Sequence, residues 1–130
     1  RAQYNKTMDE LCAKFLPAIE GAAASIGATI EIRDSFRIPA AELHDEATAL
    51  LVESISAVLG ESNCVEPIYT PGGEDFFFYT VEKPSLKAGF FGLGCNLRPG
   101  LHHPDMSFDT SALENGVSIW LDLVERLLGE

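Results

Sequence analysis

The residues of this chain best suited to chemistry lie within Pro71–Asp109. Glu74 and Asp75 follow two glycines, and His102 and His103 lie in a loop bounded by Pro and Gly. Carboxylates and imidazoles near loops are the groups with which hydrolases hold divalent metals and move protons. A catalytic zinc needs three protein ligands besides an open position. The local patterns offer one good candidate, so we expect this chain to carry only part of a site.

The histidine pair has three interpretations. Adjacent imidazoles point in different directions, so at most one of His102 and His103 is expected to reach a given metal. The alternative is a pair of loop histidines without a metal, and a third interpretation is a small independent metalloprotein that uses both with Asp105. His44 precedes Asp45 at a helix start, and we interpret it as a surface or capping residue.

The acidic pair is equally ambiguous. Glu74 or Asp75 could orient a ligand or a metal-bound water, but the same residues are typical of the charge at a helix N-terminus.

The aromatic run Phe76–Tyr79 is predicted to be core, with one ring lining a substrate pocket as the alternative. Nucleophilic catalysis is rejected because no GxSxG context surrounds a hydroxyl or thiol. HExxH, CxxC and phosphate-binding glycine loops are also missing from the sequence.

The composition is that of one average globular domain, with 130 residues, 46% hydrophobic and 22% charged. The net charge of −11, with only nine basic residues, argues against binding to nucleic acid or to anionic membrane surfaces. No apolar run approaches the roughly 18–20 residues of a membrane span, and no signal peptide is recognisable. The first residue, Arg1, is not Met, which suggests a processed or excised piece.

The three cysteines are widely spaced and lie in apolar surroundings. This usage favours buried, reduced thiols over a disulfide framework, and a cytoplasmic location is therefore expected.

The periodicity predicts three longer helices. The first begins at a capping box formed by Thr7 and Glu10 and ends at Gly27, despite Pro17 in its interior. The second covers Asp45–Leu59 and ends at Gly60. The last begins at a second capping box, formed by Ser111 and Glu114, and extends to Leu128. A shorter helix is predicted over residues 74–81.

Strands are predicted between these helices. Residues 28–36 alternate between apolar and polar, residues 65–69 form a short apolar run, and a turn follows at residues 71–73. Residues 87–95 are nearly all apolar, as in a strand covered on both faces. Alternation of helices and strands predicts an α/β (or α+β) fold. Residues 1–40 are too few to close a core and must pack on another part.

The order of GGEDFFFY, GFFGLG and LHHPDMSFD resembles the aminoacylase family of metallopeptidases, which includes hippurate hydrolase and indole-acetyl-amino-acid hydrolases. The resemblance is best over residues 70–128 and looser upstream, at EGAAASIGATIEI. It implies that residues 1–40 are the C-terminal half of a lid, or dimerisation, domain. Residues 41–130 would then be the C-terminal part of an α/β zinc-peptidase-like catalytic domain.

The resemblance also assigns roles. His102 matches the last metal ligand of that family, His103 a variable position, and Glu74 with Asp75 an acidic pair that supports the site or faces the substrate. The other ligands and the general base belong to the family's N-terminal region. The link around Pro39 departs from the family's usual pattern, so a substrate contact from it is not predicted.

These observations predict a fragment of an amidohydrolase that uses two divalent metals, zinc or manganese, and a metal-activated water to cleave N-acyl amino acids or small peptides. Because most ligands are missing, the isolated chain is expected to be inactive. Its partners would be the small-molecule substrate and either a second copy or the N-terminal part, with no nucleic acid and no membrane. The alternative is a non-catalytic oligomerisation or binding module derived from the same fold.

Overall fold

A computed structural model describes residues 2–70 and 72–129, and this part of the chain is helical. Four α-helices occur along it, with two short 3₁₀ turns at Glu61–Asn63 and Asp75–Phe77. The helices are α1 Asn5–Ser25, α2 Asp45–Leu59, α3 Phe78–Glu82 and α4 Ala112–Leu128. The predicted α/β (or α+β) class is wrong, because no strand forms among the described residues.

All three predicted strands were wrong. Residues 28–36, 65–69 and 87–95 have no regular secondary structure, and the one backbone bridge in the described ranges joins Arg98 to Ser107. Alternating apolar residues indicate a half-buried face, whereas a strand also needs a neighbouring chain to complete its hydrogen-bond ladder. No such ladder partner is present for these segments within residues 2–70 and 72–129.

Helix α1 begins earlier than predicted. Its N-cap is Tyr4, so Thr7 lies inside the helix and the predicted capping box does not form there. The helix continues through Pro17. Its end is as predicted, because Gly27 has a φ of +72°. The N–H groups of Gly27 and Ala28 donate to the carbonyls of Ala24 and Ala23, which satisfies the last turn.

The predicted bounds of α2 are confirmed at Asp45–Leu59. Asp45 and Glu46 place negative charge in the first turn, where the helix dipole favours it. Gly60 ends the helix with a φ of +86°. His44 occupies the N-cap but forms no side-chain capping bond, so of its two predicted roles, surface or capping residue, the capping bond is not seen.

The short helix predicted over residues 74–81 forms as the 3₁₀ turn Asp75–Phe77 followed by α3. The Glu74 carboxylate accepts a hydrogen bond from the Phe76 N–H at 3.4 Å, which caps the 3₁₀ turn. The Gly72 N–H donates to Thr70 Oγ1 at 3.1 Å. The predicted turn at residues 71–73 includes Pro71, which lies outside the described residues.

The chain divides into two compact units. The first consists of Arg1–Glu42 and Tyr69–Ala88. In it, Asn5 ties the start of α1 to the segment that follows the helix. Its side-chain oxygen accepts from the Ala40 N–H at 2.9 Å, and its own N–H donates to Glu42 Oε1 at 2.8 Å. Phe77, only 1% exposed, is the most deeply buried large side chain of this unit.

The second unit consists of Leu43–Ile68 and Gly89–Glu130, and in it α2 packs against α4. The buried residues of α4 recur at helical spacing on one face; they are Ala112, Gly116, Ile119 and Leu123. Leu51 and Ser54 are the buried residues of α2. The Phe91 and Trp120 rings lie 5.6 Å apart. The division into a lid part and a catalytic part at residue 40 stays a prediction.

Many large apolar side chains remain exposed. On α4 they form a second stripe beside the buried one, with exposed fractions of about a half; its members are Leu113, Val117, Trp120, Leu121 and Val124. Leu11, Phe15 and Leu16 of α1 are also exposed. Such contiguous apolar surface is typical of a face that packs on another chain or segment. Among the described residues, no helix is both long enough and apolar enough to cross a membrane.

The cysteines Cys12, Cys64 and Cys95 are free thiols, but only the last two are partly buried. Cys12 is exposed on α1, so the predicted burial is wrong for it.

Candidate functional site

The histidine pair lies in a closed loop of the second unit, which we call the histidine loop, residues 98–107. The loop is closed at its base by two hydrogen bonds. The Arg98 N–H donates to the Ser107 carbonyl at 2.9 Å, and the Ser107 N–H donates to the Arg98 carbonyl at 2.8 Å. Inside the loop, the Met106 N–H donates to the His103 carbonyl at 3.0 Å. The Arg98–Pro99 peptide bond is cis.

His102 lies in a turn of this loop with a left-handed backbone, at a φ of +63°. Residues with a Cβ adopt this conformation uncommonly, although His, Asn and Asp are enriched in it. The side chain is exposed. Within the described residues its imidazole forms no hydrogen bond and no ion pair.

His103 differs from its neighbour in hydrogen bonding. Its Nδ1 accepts a hydrogen bond from the Asp105 N–H at 3.1 Å and lies 3.9 Å from Asp105 Oδ2. Nδ1 is therefore engaged in holding the loop. The two adjacent histidines thus have different surroundings. The roles expected for them, a metal ligand for His102 and a variable position for His103, stay predictions.

Asp109 joins the histidine loop to α4. Its N–H donates to the Cys95 carbonyl at 2.8 Å. Its carboxylate accepts from the Ser111 N–H at 3.0 Å and from the Ser111 hydroxyl at 2.7 Å. These hydrogen bonds from Ser111 lower the pKa of the Asp109 carboxyl. Ser111 is the N-cap of α4 but makes no side-chain capping bond, so the predicted capping box is wrong and Asp109 orders this helix start instead.

The acidic pair lies in the first unit. Glu74 is half-buried and caps the 3₁₀ turn, and Asp75 is exposed within that turn. Glu74 therefore lies at a helix start, as the interpretation of the pair as N-terminal helix charge expects. A role of either residue toward substrate stays a prediction. Of the aromatic run, Phe77 is core as expected, whereas Phe78 and Tyr79 are 41% and 66% exposed.

Sequence reasoning missed a charged cluster in the second unit. Arg126 of α4 is hydrogen-bonded through Nε to Asp122, one helical turn before it, and Nη1 lies 3.3 Å from Glu53 Oε2 on α2. The hydrogen bond from Arg126 lowers the pKa of the Asp122 carboxyl. The i, i+4 spacing of Asp122 and Arg126 was the available signal for their pairing.

The positions of the His, Cys, Asp and Glu side chains show whether the described residues can hold a metal ion. Among the described residues, no three His, Cys, Asp or Glu side chains come close enough together to hold a metal ion. A grouping of His102, His103 and Asp105 as an independent metal site is therefore not supported. The part of the chain that the structure describes does not fit a complete metal centre. It can contribute part of such a centre, with His102 as one candidate ligand.

Comparison with known families gives the class of the protein. The sequence model of Peptidase family M20/M25/M40 matches residues 6–126, which is nearly the whole chain. The chain therefore belongs to the peptidase family M20/M25/M40, a family of hydrolases. No curated protein and no solved structure showed significant similarity to it.

Proposed function

We propose that this chain is part of a metal-dependent amidohydrolase that cleaves the amide bond of N-acyl amino acids or small peptides. The observation that carries the proposal is the family match over residues 6–126. The aminoacylase and hippurate hydrolase branch is favoured by the order of the GGED and LHHP motifs, which the sequence contains about thirty residues apart.

In this proposal His102 contributes one ligand to a site that holds two divalent ions, zinc or manganese. The left-handed turn and the unengaged imidazole of His102 support this role. Glu74 and Asp75 are assigned to supporting or substrate-facing positions. Because the described residues do not assemble three ligands, the remaining ligands are assigned to polypeptide outside this chain. No catalytic residue is assigned within the chain itself.

The test is hydrolysis of N-acetyl amino acids in the presence of zinc or manganese. The 130-residue chain alone is expected to show no turnover, whereas a longer polypeptide that contains it is expected to be active. Loss of an outer-shell partner commonly costs about 10–100-fold in activity, and His102→Ala removes a direct ligand, so a loss of at least that size is expected. His103→Ala is the matched control and should retain most activity. Turnover by the isolated chain would contradict the proposal.

The alternative function is a non-catalytic oligomerisation or binding module. It is favoured by the exposed apolar stripe of α4 and by the exposed side chains of α1. Partners proposed under either function are a second copy of the chain or the N-terminal part of the same enzyme. Light scattering after gel filtration tests self-association, and Val117→Lys on the exposed stripe should reduce it. A longer polypeptide that associates but never hydrolyses amides would favour the module.

A further inference from the structure

An open pocket in the first unit lies against the helical segment that follows the acidic pair. Its volume is about 510 Å³, and its lining is formed by Asp75, Phe76, Phe78, Tyr79 and Glu82. Asp75 lies in the 3₁₀ turn Asp75–Phe77, whereas Phe78, Tyr79 and Glu82 belong to the helix α3 that follows it. The pocket therefore presents two carboxylates and three aromatic rings to one small volume.

The aromatic rings are available to a ligand. Tyr79 and Phe78 are 66% and 41% exposed, so both can be reached from solvent. The Phe76 and Tyr79 rings meet edge to face, with centroids 5.9 Å apart and planes at 65°. Because these two rings are not stacked face to face, at least one aromatic face is left uncovered by the other ring. The negative potential of such a face attracts cations.

The charge of the pocket has the same sign throughout. Asp75 and Glu82 form no ion pair with any residue that the structure describes. The lining contains no Lys, Arg or His, and the chain as a whole carries a net charge of −11. An anionic ligand is disfavoured here on electrostatic grounds. A bare metal ion is also disfavoured, because aromatic rings supply no ligand atoms and the described residues form no metal-binding group.

We propose that this pocket binds an organic cation, the guanidinium or ammonium group of a basic amino acid, between the two carboxylates and the aromatic rings. The planar guanidinium suits it best, because it is weakly hydrated and both stacks on aromatic faces and donates to carboxylates. Asp75 is one of the substrate-facing candidates. Taken together with the proposed amidohydrolase function, on which this step rests, the pocket specifies a substrate with a positively charged side chain.

The probe pair is Nα-acetyl-arginine amide and Nα-acetyl-citrulline amide, which have similar shape but differ in charge. The full chain is titrated with each in the absence of metal, and the aromatic resonances of Phe78 and Tyr79 are followed by NMR. The arginine derivative is expected to shift these resonances in a saturable way and to bind several-fold more tightly than the citrulline derivative. Its affinity should fall as salt is added, since the carboxylates are exposed.

Variants locate the interaction. Asp75→Asn, Glu82→Gln and Tyr79→Ala are each expected to weaken binding of the arginine derivative by about two- to fivefold. Glu20→Gln, which removes an exposed carboxylate of α1 outside the pocket lining, is the control and should leave the affinity unchanged. The two carboxylate variants change exposed groups, and unchanged amide spectra elsewhere will show that they fold.

Equal affinity for the two probes, or affinity that is insensitive to both carboxylate variants, would overturn the proposal. The titration needs neither metal nor turnover. If the arginine derivative fails to bind, the proposed hydrolase function is unaffected. If instead the activity test shows no hydrolysis, the titration can still show that the pocket binds cations, but the pocket has no role in substrate recognition.

Discussion

Leu51 of α2 lies directly against the backbone of Gly89 in the second unit. A β-carbon built on Gly89 would lie 2.6 Å from Leu51 Cδ1 and 3.1 Å from the Ala47 carbonyl oxygen. Leu51 is only 5% exposed, so it has little room to move. The close approach of this apolar segment to α2 therefore requires glycine at position 89.

Gly89→Ala is accordingly expected to destabilise the chain by about 1–3 kcal/mol through overpacking. Gly92→Ala is the matched control, because a β-carbon at Gly92 meets nothing within 4 Å. Urea unfolding followed by Trp120 fluorescence measures both. If Gly89→Ala unfolds at the same urea concentration as Gly92→Ala, the packing of Leu51 against Gly89 is incorrect.

His102→Gly is expected to raise the free energy of unfolding by about 1 kcal/mol, because glycine adopts a positive φ without the steric cost of a Cβ. His103→Gly is the control. It removes the hydrogen bond to Asp105 without relieving a positive φ, so it should not stabilise. Urea midpoints of the two variants give the comparison. A gain in stability at position 102 would mean that the native histidine is retained at the expense of stability, as at many functional sites.

Asp109→Ala is expected to lower the urea midpoint and to fray the start of α4, since it removes the acceptor of both hydrogen bonds from Ser111. Asp109→Asn keeps one acceptor oxygen and should lose less. Amide hydrogen exchange of the first turn of α4 measures the effect. Asp105→Ala, in the histidine loop, is the comparison variant. If Asp105→Ala accelerates amide exchange at the start of α4 as much as Asp109→Ala does, Asp109 has no specific role there.

The carboxyl of Asp122 makes stability depend on pH. Because the hydrogen bond from Arg126 lowers its pKa in the folded chain, the ionised carboxylate favours folding above the ordinary carboxyl pKa of 3.8. This contribution is lost as the pH falls through the lowered folded-state pKa. The urea midpoint should therefore fall as the pH is lowered from about 5 to about 3, and that of Asp122→Asn should fall less steeply. Glu125→Gln, on the same helix, is expected to retain most of the wild-type slope.

The helices were the predictable part of the fold. Apolar spacing located α2 to its first and last residue and found α1 and α4, because one buried stripe every three or four residues is a local property of the chain. Capping was predicted less well. Thr7 and Ser111 have the right residue type and spacing, but Tyr4 begins α1 and Asp109 orders the start of α4. Several nearby polar residues compete for the same N–H groups, and the three-dimensional path of the chain selects among them.

The sequence by itself determined the family, the positions of the helices and the candidate residues His102, Glu74 and Asp75. Only the tertiary structure decided that the apolar runs do not form strands, because strand formation depends on a partner distant in sequence. It also decided which histidine has a free imidazole and which aromatic rings stay exposed. Those properties depend on hydrogen-bond partners and packing neighbours that residue type and spacing do not specify.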